Sequence, residues 1–244
     1  MALRPSEPLP TLAVDARVEG SPYKVVRRLG EGGMGVVYEV EHVQTRERRA
    51  LKILRRLFVN DPEHEERFLL EVRGLERLRG ARHVVRVLEQ GRTLGRPYYV
   101  MDFVEGETLY DRLRRGRLSL AETFVIVHQL LVALRAVHRA GVVHRDVKPE
   151  NIMLRPNGEA VLLDFGLVKA LTENGLGVRS FPTPPLRIMG TGPYLPPELA
   201  YERKPDERGD LYAAGVVLFE CVAGGLPLWH VRTDAYHAYV ARRG

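Results

Sequence analysis

The segment His144-Arg-Asp-Val-Lys-Pro-Glu-Asn151 holds the densest run of side chains in this sequence that could do chemistry. Phosphoryl transfer to a hydroxyl needs an acceptor for the hydroxyl proton, a cation near the transferred group, and oxygen ligands for a metal. Asp146 can orient and deprotonate a hydroxyl, Lys148 can neutralise transferring charge, and Asn151 offers a carbonyl oxygen to the metal. Further on, Asp164 opens Asp-Phe-Gly at the end of the apolar run Val161-Leu-Leu163. A carboxylate at a strand end is a good magnesium ligand. Taken alone, Asp-Phe-Gly would be an ordinary turn; its place after Asn151 argues for the ligand.

A second group lies nearer the N-terminus. Leu29 leads into Gly30-Glu31-Gly32-Gly33-Met34-Gly35, and Val36-Val37 follows. Glycine lets backbone N–H groups approach phosphates that a Cβ would hold off. Dinucleotide-binding folds use a similar spacing, but their glycines pass from strand into helix. Here Val36-Val37-Tyr38 is β-forming, so a strand follows, and a plain glycine-rich hairpin is the other reading. Lys52 sits in Ala50-Leu51-Lys52-Ile53. In a strand, Ala50 and Lys52 would face one way and Leu51 and Ile53 the other. Lys52 is then a phosphate ligand or a solvent-facing lysine. Glu71, between Leu70 and Val72, falls on the apolar side of a predicted helix, where a carboxylate is costly unless paired. Lys52 is its candidate partner; Glu65 and Glu76 read as solvated.

The elements that must position these groups are legible in outline. Residues 23–29, 36–40 and 48–54 read as strands, with a glycine turn between the first two. Asp61-Pro62-Glu63 is a helix start, and Phe68, Leu69, Val72, Leu75 and Leu78 recur at helical spacing. Two more strands are expected near 84–89 and 97–101. Ser119-Leu-Ala-Glu122 is a capping box that opens an apolar helix to about Arg139. A loop with His144 and Asp146, two short strands, a Pro/Gly-rich loop over 166–197 and an apolar helix near 208–223 complete the chain.

Together these residues resemble the protein-kinase family, in particular bacterial-type serine/threonine kinases. The resemblance runs from Tyr23 to Trp229 and includes Pro196-Pro197-Glu198, where the family usually has Ala-Pro-Glu, and Asp210 with Gly215. It implies an α+β, bilobal fold: a small antiparallel-sheet N-lobe with one helix and a mostly helical C-lobe. The expected division is a flexible lead-in over 1–22, an N-lobe over 23–101, a hinge over 102–106 and a C-lobe over 107–244. The resemblance implies ATP with magnesium, or manganese, as cofactors. Lys52 would hold the α- and β-phosphates and pair with Glu71, Asp146 would be the base, and Asn151 and Asp164 would bind metal. Met101 would be the gatekeeper, and the backbones of Asp102 and Val104 would hold adenine. Lys148 and Thr191 point to serine/threonine substrates. Arg145 would receive a phosphate carried by Ser180 or Thr183 on the loop from Asp164 to Glu198, which implies autophosphorylation between self-associating copies. The sequence stops at Gly244 before further helices that such kinases carry, so the C-lobe is expected to be incomplete. A pseudokinase or kinase fragment acting as an ATP-binding or interaction module is the alternative.

The bulk properties agree. The chain has 244 residues, 45% hydrophobic and 28% charged, long enough for a substantial core. The net charge is +6, with arginines spread along the chain. Without an aromatic-interleaved basic patch or a zinc pattern, no nucleic-acid partner is expected. One cysteine, Cys221, permits no intrachain disulfide and fits a cytoplasmic setting. The most apolar stretch, Leu211 to Leu226, is interrupted by Glu220 and too short to span a bilayer, so no membrane span is expected.

Overall fold

The computed structural model describes residues 12–59, 61–164, 169–170, 192–196 and 206–227. The chain divides into two compact units, residues 1–72 with 86–103, and residues 73–85 with 104–244. Segment 73–85 thus groups with the second unit, which a linear division of the sequence does not anticipate.

The first unit is built on a five-stranded antiparallel sheet of β1 (Tyr23–Glu31), β2 (Gly35–His42), β3 (Arg48–Leu54), β4 (Val87–Thr93) and β5 (Arg96–Asp102). The strand order is β1-β2-β3-β5-β4. Period-two alternation sorts its side chains onto two faces. Val36, Tyr38, Val40, Leu51, Ile53, Tyr98 and Val100 form one apolar face and pack in a single core cluster with Leu12 and Val18. Those two come from the segment expected to be flexible, and here the expectation is corrected for residues 12–22. Asp15 N donates to Val25 O (2.9 Å), Val25 N to Ala16 O (3.0 Å) and Val18 N to Tyr23 O (2.9 Å). The physical reason is that an apolar sheet face needs a cover, and this segment supplies it.

Helix α1 (Pro62–Glu76) starts where the sequence places it. Asp61 Oδ1 accepts from the backbone N–H groups of Glu63 (3.1 Å) and His64 (3.3 Å), satisfying two of the donors that a helix start leaves open. Phe68 and Val72 on this helix are fully buried. The strand expected at 84–89 is displaced to β4, because residues 83–85 serve the second unit. Val85 N donates to Leu162 O (3.0 Å) and Leu162 N to His83 O (2.8 Å).

The second unit contains β6 (Glu107–Thr108), α2 (Leu109–Leu113), α3 (Leu120–Arg139), β7 (Val142–Val143), β8 (Ile152–Leu154), β9 (Ala160–Leu162), β10 (Lys169–Ala170) and α4 (Glu207–Ala223). The predicted capping box of α3 is present in full: Ser119 and Glu122 each accept from the other's backbone N–H. Ile126, Val127, Leu130, Ala133, Leu134 and Val137 form its buried stripe, with the spacing of a core helix. Among the described residues α3, not the 211–226 stretch, is the helix long and apolar enough by length and composition to cross a membrane. In this structure its stripe packs against α4 and β9. Gly106 (φ 136°) lets β6 approach β8; a Cβ there would meet Leu154 O at 2.0 Å.

Candidate active site

The first unit brings Lys52 and Glu71 together. Lys52 Nζ lies 2.8 Å from Glu71 Oε1, and both side chains are almost wholly buried. The pairing follows from two placements: Lys52 on the sheet face away from the core cluster, and Glu71 on the buried side of α1. Tyr99, which stands directly opposite Lys52 in the β3–β5 register, donates its hydroxyl to Glu71 Oε1 at 2.7 Å. Its ring lies 6.0 Å from Lys52 Nζ, within cation–π range. Sequence reasoning missed Tyr99; the signal that could have found it was the register of two adjacent strands.

The glycine turn is closed by Gly32 N donating to Gly35 O at 2.8 Å. Gly35 is required by close approach, since a Cβ would meet Lys52 Cγ and Cε at 2.9 Å. At Gly30 and Gly33 a Cβ would meet nothing within 4 Å, so protein packing does not demand glycine there. Leu29 and Gly30 to Gly33 are exposed and Val36 is buried, with Val37 opposite Lys52 and Ala50 opposite Met101 in register. Met101 is buried on β5. Asp102 closes that strand, and its backbone N–H is occupied by Arg86 O at 3.0 Å. Val104 is buried in the second unit.

In the second unit the His144–Asn151 loop folds around Asp146. Asp146 Oδ2 lies 2.9 Å from Lys148 Nζ and accepts from Asn151 Nδ2 at 2.9 Å. Asn151 Nδ2 also reaches Asp146 O at 2.7 Å. With that amide nitrogen spent, Asn151 Oδ1 is the atom left for a cation. Leu163 N donates to Asn151 O (2.8 Å), which sets Asp164 one residue beyond Asn151's backbone. Asp164 stands at φ 45°, a left-handed conformation that aspartate tolerates better than most residues. An amide oxygen and a carboxylate are hard donors and suit a hard divalent cation that takes its other oxygens from phosphates and water.

The loop is held by a residue distant in sequence. Asp210, buried on α4, accepts from His144 N (2.9 Å), Arg145 N (2.7 Å) and His138 Nε2 (2.8 Å). Burial works to raise the Asp210 carboxyl, but the bond from His138 and the other donors win and hold it below the usual carboxylate range. Arg145 has φ 66°, which costs a non-glycine residue about 1–3 kcal/mol and persists because Asp210 clamps its N–H. Burial also pulls the Arg145 guanidinium below its ordinary range, with Asp210 opposing. His144, fully buried, receives Asp146 N on Nδ1 (3.3 Å), so Nε2 carries the proton to Leu163 O (2.9 Å). This ring ties the 144–151 loop to Leu163, just past the end of β9. Asp210 was noticed in sequence only as part of a pattern; neither its role nor that of His138 was visible there.

Tyr194 donates to Glu220 Oε2 at 2.6 Å, fastening the 192–196 segment to α4. Cys221 is no nucleophile: burial first, then the neighbouring Glu220, pushes its thiol up to about 12. Ser180, Thr183, Thr191, Glu198 and the Phe165-Gly166 of the Asp-Phe-Gly motif lie outside the described residues.

Residues 23–243 match the family described as "Protein kinase domain". The chain is 36% identical over 222 residues to "Serine/threonine-protein kinase PknL" of Mycobacterium tuberculosis (strain ATCC 25618 / H37Rv), covering 91% of this chain and 53% of that protein. It is 34% identical to "Probable serine/threonine-protein kinase pknA2" of Bifidobacterium longum, over 86% of this chain and 27% of that protein. It is 37% identical to "Serine/threonine-protein kinase Pkn1" of Myxococcus xanthus, over 84% and 29%. The chain therefore spans about half the length of PknL and under a third of the other two.

Proposed function

Because the chain belongs to the protein kinase family, we propose that it transfers the γ-phosphoryl group of ATP to serine or threonine hydroxyls of proteins, its own 164–198 segment among them. The observation that carries the proposal is the arrangement around Asp146: a carboxylate held by Lys148 and Asn151 within one short loop, itself clamped by Asp210.

Asp146 accepts the proton of the attacking hydroxyl and orients its oxygen. Lys148, 2.9 Å from that carboxylate, stands ready to take up charge on the transferred group. Lys52, aimed and desolvated by Glu71 and Tyr99, holds the α- and β-phosphates. The open glycine turn offers backbone N–H groups to them. Asn151 Oδ1 and Asp164 would hold a divalent metal, and magnesium bound there would supply positive charge against the phosphates. The Asp102 carbonyl and the Val104 backbone take adenine beside Met101. Arg145 receives a phosphate on Ser180 or Thr183 and so couples loop order to activity. Lys148 and Thr191 favour serine and threonine over tyrosine.

The test is transfer of labelled γ-phosphate from Mg-ATP to the chain itself and to a generic basic protein, beside the Asp146→Asn variant. Label on serine or threonine that vanishes in the variant is expected. No label on either acceptor, with ATP still bound, would replace this proposal with the binding-module reading.

A further inference from the structure

A carboxylate inside a phosphate-holding turn poses a problem. Glu31 is the one acidic side chain between Gly30 and Gly35, and its charge would repel the phosphates that the turn is meant to cradle. The structure shows how that charge is handled. Glu31 is bonded on one side by Arg28 of β1 and on the other by Arg55, whose Nη2 lies 2.7 Å from Glu31 Oε1. Arg55 follows β3, and its backbone N–H also donates to Met34 O at 2.8 Å. The turn is therefore fastened at both ends of its tip to one residue, Glu31 by an ion pair and Met34 by a backbone bond. The three side chains are half-exposed, between 31% and 47%, so the cluster sits at the surface and not in the core. Two cations against one anion leave the site net positive, the sign that suits a polyphosphate.

We propose that the Arg28–Glu31–Arg55 cluster is a latch that holds the glycine turn down and masks the charge of Glu31 from the nucleotide, with Arg55 as the positioning residue. The proposal rests on the reading of this turn as the ATP phosphate loop. Its two parts lead to an uncommon sign pattern. Losing the Arg55 side chain releases the Glu31 end of the tip, while the backbone bond to Met34 stays, and leaves the Glu31 carboxylate masked by Arg28 alone. Losing the Glu31 charge releases the same end but removes the offending carboxylate. Arg55→Ala should therefore weaken nucleotide binding more than Glu31→Gln does, and adding Glu31→Gln to Arg55→Ala should restore part of the loss. A purely structural role would make the double variant equal to or worse than the worse single one.

The experiment measures the dissociation constant of a fluorescent ATP analogue with the full chain, for wild type, Glu31→Gln, Arg55→Ala, Arg55→Lys and the double variant, with a thermal melt of each. An exposed ion pair sets the scale: a loss of about three- to fivefold for Arg55→Ala, about half of it recovered in the double variant, and near-wild-type binding for Arg55→Lys. Raising the salt from 0.05 to 0.5 M should compress these differences, because exposed charges are then screened. Additive or salt-independent losses, or equal binding by all variants, would overturn the latch and leave the phosphate-loop reading intact. Failure of the wild type to bind the analogue would overturn that reading, and the latch with it.

Discussion

The two units hold their candidate catalytic groups in opposite ways. In the first, a lysine and a glutamate from different elements meet in a dry interior, and burial itself aims the charges. In the second, Asp146 and Lys148 sit close in sequence and about one-fifth exposed, and they are aimed by backbone bonds to a carboxylate far along the chain. The difference teaches that positioning and accessibility are solved separately. A group that only holds phosphate can be dried and locked. A side chain proposed as the base for an incoming hydroxyl stays partly wet, and its loop is made rigid from the backbone.

That contrast predicts different consequences when each group is removed. Asp146→Asn should lower phosphoryl transfer by about 10²–10⁴-fold, the usual scale for loss of a general base, while leaving the thermal midpoint within a few degrees of wild type. A large fall in the midpoint would show that Asp146 is structural and break the comparison. Lys52→Met should lower transfer and, unlike Asp146→Asn, also destabilise the first unit. It leaves the Glu71 carboxylate buried without its lysine, at a cost of about 3–5 kcal/mol, and Lys52→Met with Glu71→Leu should recover stability but not transfer. Denaturant melts of both variants decide this; equal stability in Lys52→Met would mean that the pair is screened by solvent.

Val18→Ala tests the cover on the first unit. The side chain is fully buried in the same cluster as Val100, so truncation should cost about 2 kcal/mol. A neutral result would return the 12–22 segment to the flexible lead-in that the sequence suggested. The smallest effect concerns pH. Asp210 is held below its ordinary range, so its contribution is present above the unfolded-state value near ~4 and is lost as pH falls through the lower folded value. The second unit should lose stability there more steeply than an Asp210→Asn variant does, as read by urea melts between about pH 2 and pH 4.

Much of this was readable from residue order because the signals were local. The Ser119 capping box, Asp61 as helix cap, the strand alternation that separates Lys52 from Leu51, and the spacing of Asp146, Lys148 and Asn151 all lie within a few residues of one another. The cost of burying an unpaired carboxylate is enough to match Glu71 with Lys52 from residue order alone. What failed was non-local. Residues 84–85 read as the start of a strand in the first sheet, yet Val84 bridges to Leu162 and Val85 N donates to Leu162 O in the second unit. Residues 12–22 read as loose because their need for burial depends on a sheet face that exists only once the strands have paired.

Residue order alone thus nominated the candidate side chains and the short elements that carry them, since periodicity, caps and motif spacing are properties of neighbours along the chain. Only the tertiary structure decided what aims them. Tyr99 on Glu71, Asp210 on the catalytic loop, and Arg55 on both Glu31 and Met34 are contacts between residues 24 to 66 positions apart, apart from Arg55 to Met34 at 21. No local pattern encodes such partners, because only sheet register and helix packing bring them within hydrogen-bond distance.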